Sequence, residues 1–295
     1  MSDIIKIDDW YYTGKCINEF KIKCPINYFP ASLNKYYSIS KNNVEALINT
    51  YVYVNHPMQF NDPYDSARLF TYDNPDDDGF YKFNLMFVNI GLISMSESDT
   101  SMLMWAHYSN HDGFLINFNM DRLKDKFQFV FPMHYTDYLP DMRSYENKNI
   151  KFMISTNLKY SEWSYEKEWR LYYSPGPMIL PEIDKTLKKM NEKWFFNANR
   201  VPVARKFHYN IDDINFISLG CKFIIGENYE LIDDKTILFN VKNENKKKLV
   251  DFLIEKKIPT KMISCGNVSR FGLKQLEIEI YKNDNEYDYL LKFIT

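Results

Sequence analysis

The sequence predicts an α+β fold of mixed, mainly antiparallel sheets, and three observations carry that prediction. Short β-rich runs recur with hairpin-length connections, helical periodicity is confined to a few separated segments, and strands and helices do not alternate as a doubly wound parallel sheet requires. At 295 residues and 45% hydrophobic content the chain is long enough to bury a full core. No internal repeat is visible. The expected organisation is an N-terminal extension over 1–33, a main domain over 34–240, and a C-terminal helix with strands over 241–295 packed on it.

The elements follow in order. The first segment carries Pro25 and Pro30 and shows no sustained period, so it reads as irregular. Lys35 to Ile39 reads as a strand, Asn42 to Asn49 as a helix with Val44, Leu47 and Ile48 on one side, and Thr50 to Val54 as a second strand. His56 and Asp62 each precede a proline, which makes the stretch His56 to Asp65 an extended loop. Asp73 to Gly79 is an acidic turn whose spacing does not match a twelve-residue calcium loop. Asn89 to Met95 reads as a buried strand, followed by a helix capped by Ser98 or Asp99 and ended by Gly113 in a left-handed conformation. Gly113 to Phe118 is a strand, Met120 to Lys126 a short helix, and Phe127 to Tyr135 a strand. A helix is expected around Asp184 to Asn197, a strand over Ile214 to Gly220, and an amphipathic helix over Lys242 to Lys257. Two closing strands occupy 273–282 and 286–294.

A formal net charge of −2 supplies no global field to attract nucleic acid, which argues against a basic binding surface. Cys16, Cys24, Cys221 and Cys265 lack CxxC spacing, and the N-terminus lacks a charged leader before an apolar run, so a cytoplasmic protein with reduced thiols is expected. No apolar run approaches the roughly 20 residues that span a bilayer. The 23 Tyr and 22 Phe favour a groove able to stack planar ligands.

The most informative stretch runs from Trp163 to Arg170, where two carboxylates, a guanidinium and three large aromatics fall within Trp-Ser-Tyr-Glu-Lys-Glu-Trp-Arg. If it is extended, Glu166, Glu168, Arg170 and Tyr172 share one face. Such a face belongs either to a site or to a half-exposed strand whose Glu168 and Arg170 pair in solvent. The functional expectation places both glutamates in a hollow ringed by tyrosines.

Other constellations are weaker. His107 and His111 lie four apart but lack the glutamate of a zincin, and no metal site is expected. With nine glycines and neither GxGxxG nor GxxxxGK, no tightly bound nucleotide cofactor is expected. No nucleophile elbow marks a Ser or Cys catalyst. Asn61 and Asp62 suit either a rigid Asx turn or a ligand contact. Trp105, His107 and Tyr108 suit either a helix packing into the core or a binding face.

Several separated segments carry a resemblance: Tyr36-Tyr37, Phe60-Asn-Asp-Pro-Tyr-Asp65, Leu103-Met-Trp-Ala-His-Tyr108 with His111 and Gly113, Trp163 to Arg170, and Leu219-Gly220. In this order they resemble the bacterial family known as domain of unknown function 2971, over about Asn34 to Gly226. The resemblance implies an accessory or effector part of bacterial conflict and anti-phage systems. Glu166-Lys-Glu168 is also similar to the Glu-x-Glu element of ADP-ribosyltransferases. That similarity implies NAD as substrate, with Glu168 stabilising an oxocarbenium-like state and gripping a ribose hydroxyl, and Glu166 orienting the acceptor. Arg170 would hold the pyrophosphate or support the strand, and Tyr36, Tyr108 or His107 would stack the base and contact the ribose. Asn61, Asp62, Trp105 and His111 complete the expected substrate contacts. The chain departs from that pattern, with no first-strand Arg or His placed and only Ser155-Thr156 or Ser94-Met-Ser96 near its Ser-Thr-Ser element. The competing class is a non-enzymatic sensor that binds a nucleotide or a phage protein. An antitoxin or other protein partner is expected with the first reading, and no membrane with either.

Overall fold

Apolar side chains alternating along short runs, with helical spacing confined to a few segments, build an α+β protein of mixed, mainly antiparallel sheets. The computed structural model describes residues 4–14, 19–55, 60, 62, 65, 91–141, 146–173, 187–190, 193–196, 205–265, 272–283 and 286–294. The chain divides into two compact units, each gathered from three stretches: 1–29, 53–94 and 124–207, and 30–52, 95–123 and 208–295. Among the described residues no helix is long and apolar enough to cross a membrane. The acidic stretch Asp73 to Gly79 and Cys16 lie outside the described residues, whereas Cys24, Cys221 and Cys265 carry free thiols.

In the second unit, strands follow one another across the sheet in the order Asn228–Asp233, Thr236–Asn240, Tyr289–Phe293, Leu273–Lys282, Thr260–Cys265, Ile214–Leu219, Phe114–Asn119 and Ser32–Tyr37. All neighbours are antiparallel except Ile214–Leu219 and Thr260–Cys265. That parallel pair needs a crossover, which the helix Glu244–Lys256 helps supply. Asn243 caps this helix by accepting from the Asn245 and Lys246 N–H groups. The helix buries Leu249, Val250, Phe252 and Leu253, and the helix Lys41–Ile48 packs on it. The expected helix and closing strands near the C-terminus are thus present, within a residue or two at most ends.

Two sequence-based expectations about the helix Met102–Ser109 need correction. Its cap is Ser101, whose hydroxyl accepts from the Met104 N–H at 3.3 Å, and neither Ser98 nor Asp99 serves. The Asp99 carbonyl instead accepts the Trp105 indole N–H at 2.8 Å, and the Ser98 N–H donates to the Ser96 hydroxyl. At the other end Asn110 and His111 take the left-handed conformation, with φ of 53° and 59°, so the turn is complete before Gly113. Gly113 is required for closeness. A Cβ there would lie 2.0 Å from the Tyr37 carbonyl oxygen.

The first unit contains a three-stranded antiparallel sheet over Ile4–Ile7, Trp10–Thr13 and Lys21–Lys23, where the sequence lacked a visible period. Trp10 and Tyr12 from this sheet, with Phe20 just before its third strand, join Phe152, Met153, Ile154, Leu158 and Tyr172 in one apolar cluster. His134 stacks on Trp10 with ring centroids 4.5 Å apart, its Nδ1 2.9 Å from the Tyr12 hydroxyl and its Nε2 3.0 Å from Asp8. A helix over Lys148–Asn157, capped by Asn147, leads into the strand Leu158–Tyr160, which pairs in parallel with His134–Thr136. The strand Glu168–Tyr173 pairs antiparallel with Phe129–Pro132. The expected single strand over Phe127 to Tyr135 is therefore two strands, Phe129–Pro132 and His134–Thr136, with different partners. The expected helix around Asp184 to Asn197 is also corrected: Leu187–Met190 and Lys193–Phe196 are antiparallel strands, with Leu187 opposite Phe196. Aromatic Trp194, Phe195 and Phe196 favour strand geometry.

The tight passage at Gly113 generates a stability prediction. Gly113→Ala should lower unfolding free energy by on the order of 3 kcal/mol, because the new methyl overlaps fixed backbone. Denaturant titration of the variant, giving a midpoint unchanged from the parent, would contradict it.

Candidate functional site

The site is built by four consecutive elements of the first unit together with Asp65. Helix Lys148–Asn157 ends in the extended residue Leu158, and the short strand that follows sets Lys159 inward, with the residue 7% exposed. Ser161–Glu166 then forms a 3₁₀ turn, and Lys167 takes the left-handed conformation at φ 44°, its N–H donating to the Ser164 carbonyl at 3.2 Å. The strand begins only at Glu168. The expectation that Glu166 and Glu168 share a strand face is corrected accordingly: Glu166 ends the turn, which a local backbone hydrogen bond closes and a common cation stabilises.

That cation is Lys159. Its Nζ donates to Glu168 Oε2 at 2.8 Å and also bonds Glu166 Oε2, and it lies 4.0 Å from Asp65 Oδ2. Arg170 grips Asp65 in bidentate fashion, Nη1 to Oδ1 at 2.9 Å and Nη2 to Oδ2 at 2.8 Å, while its Nε donates to Glu168 Oε1 at 3.1 Å. Nη1 also donates to the Thr156 carbonyl at 2.6 Å. The Glu168 N–H donates to the Tyr135 hydroxyl at 2.8 Å. Aromatic rings shield both cations: Trp163 lies 5.3 Å from the Lys159 ammonium and Phe60 lies 4.6 Å from the Arg170 guanidinium. All five charged groups are buried.

Three carboxyls face two cations, so compensation is uneven. Burial alone would raise the Glu168 carboxyl, but Arg170 and Lys159 together overcome it and hold it at about 2. At Asp65 the balance reverses, and burial lifts the carboxyl above its ordinary range despite Arg170. Lys159 is desolvated as well, yet Glu168 and Glu166 keep its ammonium protonated far above neutrality. Beside the cluster opens a groove of about 330 Å³ lined by Thr136, Asp137, Tyr138, Leu139, Leu158, Lys159 and Tyr160. Lys159, and neither glutamate, reaches that groove. Neither of the two glutamates expected in a tyrosine-ringed hollow lines this groove.

The remaining expected contacts distribute as follows. Asp62 is buried and its carbonyl accepts from the Asp65 N–H at 3.1 Å, while Asn61 lies outside the described residues. Tyr36, Trp105, His107, Tyr108 and His111 belong to the second unit. Tyr36 and Trp105 meet edge to face at 5.2 Å, and their polar tips donate to the Ser98 and Asp99 carbonyls at 2.8 Å each. These two are core residues with satisfied hydrogen bonds. His107 is exposed, Tyr108 is half-buried, and His111 is half-buried with its imidazole pKa lowered by burial and by Lys222. Sequence reasoning missed Lys159 and Tyr135 and left Asp65 without a role. Only Asp65 had a signal, as the last residue of the Phe60-to-Asp65 block.

Two predictions follow from these charges. The Glu168 carboxyl titrates lower in the folded protein than its ordinary 4.5, so its contribution is complete above pH 4.5 and is lost as pH falls toward 2. Unfolding free energies of parent and Glu168→Gln should therefore differ most above pH 4.5 and converge below it; a pH-independent gap would refute the assignment. Lys159→Met should cost about 3–5 kcal/mol by leaving buried carboxylates short of a cation, read as a lowered denaturation midpoint; a midpoint equal to the parent's would show that the carboxyls need no such cation.

Comparison with known proteins adds one match. No curated protein and no solved structure matches the chain. The matched segment starts in the helix carrying Trp105 and ends just past Arg170, so it contains Lys159 and both glutamates: residues 104–171 match the model of a family described as Protein of unknown function (DUF2971).

Proposed function

We propose that this protein is a non-enzymatic binding module, and that the cluster of Asp65, Lys159, Glu166, Glu168 and Arg170 is the rigid frame of its ligand groove. One observation carries the reading: both oxygens of Glu168 are already engaged, Oε2 by Lys159 and Oε1 by Arg170. A carboxylate that stabilises a sugar cation and grips its 2′-hydroxyl must present a free oxygen to the substrate. Glu168 is only 4% exposed, so turning an oxygen outward to a substrate would break a buried ion pair, which costs several kcal/mol.

The groove at Lys159 fits a ligand instead. Its volume of about 330 Å³ falls within the range of small-molecule sites, and Tyr138 and Tyr160 on its lining are exposed. Exposed phenol rings stack planar bases. A nucleotide is the ligand class this combination favours. With the resemblance to parts of bacterial conflict systems, the role proposed is that of a nucleotide-binding sensor in anti-phage defence.

A second reading keeps one specific support. Glu168 is ionised at neutral pH, the charge state that NAD cleavage or ADP-ribosyl transfer demands. Incubation of purified protein with NAD, with released nicotinamide measured by mass spectrometry, decides between the two. No release above that of Glu168→Gln is expected, together with nucleotide binding weakened about 10-fold or more by Tyr138→Ala combined with Tyr160→Ala. Nicotinamide release that Glu168→Gln abolishes, with circular dichroism unchanged, would establish the catalytic reading and overturn the sensor.

A further inference from the structure

Arg205 belongs to the first unit, outside the ion cluster, and its side chain is buried with 2% of the residue exposed. Its Nε, Nη1 and Nη2 all lack a hydrogen-bond partner among the described residues. A buried guanidinium without an anion is unfavourable by several kcal/mol, so proteins rarely keep one without use. Burial also lowers its pKa to about 10, which leaves it charged at neutral pH.

The backbone fixes where this cation sits. The Arg205 carbonyl accepts from the Val54 N–H at 2.8 Å, and the next residue, Asn55, exchanges two backbone hydrogen bonds of 2.9 Å with Leu92. The side chain therefore lies against Gly91, where an added Cβ would come 2.7 Å from Nη2 and 2.0 Å from Val54 Cγ1. Glycine at this position leaves the guanidinium its space. Tyr53, which interacts electrostatically with Arg205, is exposed at the surface.

We infer that Arg205 is an oxyanion receptor, binding phosphate or the phosphoryl group of a larger ligand in a desolvated pocket walled by Val54 and Gly91. The planar fork matches two phosphate oxygens at once, and low local polarity strengthens the pair. The site is separate from Glu168, so it stands whether or not that carboxylate is catalytic.

Equilibrium dialysis of the full chain against inorganic phosphate at constant ionic strength tests this directly. One phosphate per chain is expected for the parent protein, affinity at least tenfold weaker for Arg205→Lys, and none for Arg205→Met. Adenosine monophosphate in a second arm separates the sources: competition marks a nucleotide's phosphoryl group, and its absence marks free phosphate, either of which sustains the receptor. In chloride buffer Arg205→Met should match or exceed the parent's melting temperature, because a lone buried cation is removed. No phosphate bound by the parent, or equal binding by Arg205→Met, overturns the inference. So does a melting temperature that falls in Arg205→Met while phosphate has no effect on the parent, since that pattern denotes a carboxylate of the chain itself.

Discussion

Charge compensation in a dry interior governs the first unit. Lys159 and Arg170 hold Glu166, Glu168 and Asp65 away from water, and the helix end, the 3₁₀ turn, the strand start and the Phe60-to-Asp65 segment must all be in place for the ionic contacts to form. Such a cluster adds little net stability over an apolar core, because desolvation offsets most of the attraction. What it supplies is specificity of arrangement: a shift of any one element strands a charge in a place where it is costly. Trp163 and Phe60, from two of the motif blocks, are explained by this cluster as covers over its cations.

The same logic separates the two kinds of functional reading. A carboxylate clamped by two cations is fixed in position and charge, which suits both a scaffold and an electrostatic catalyst. It differs from a solvent-facing catalyst in its burial, with 4% of the residue exposed. Arg205 is the opposite case, a buried cation whose hydrogen-bonding capacity is unspent among the described residues.

Part of this was legible in the sequence. The alternation rule put Glu168, Arg170 and Tyr172 on one face, and Arg170 and Tyr172 do meet the same Thr156 carbonyl. It failed at Glu166 because a left-handed Lys167 interrupts the period, and nothing in a Lys between two glutamates announces that conformation. Lys159 was illegible for another reason: it reaches Glu168 across a turn, a contact that neither helical nor strand spacing encodes. Asp65 meets Arg170 from 105 positions away in the chain. Gly113 was recognised as necessary but for a conformational reason, whereas proximity to the Tyr37 carbonyl is what excludes a side chain.

The interleaving of the two units bears on synthesis. Neither is a continuous stretch of chain: Ser32–Tyr37 pairs with Phe114–Asn119, which in turn awaits Ile214–Leu219. A nascent chain leaving the ribosome therefore exposes half-built sheet edges until its last third emerges, and contact order this high slows closure.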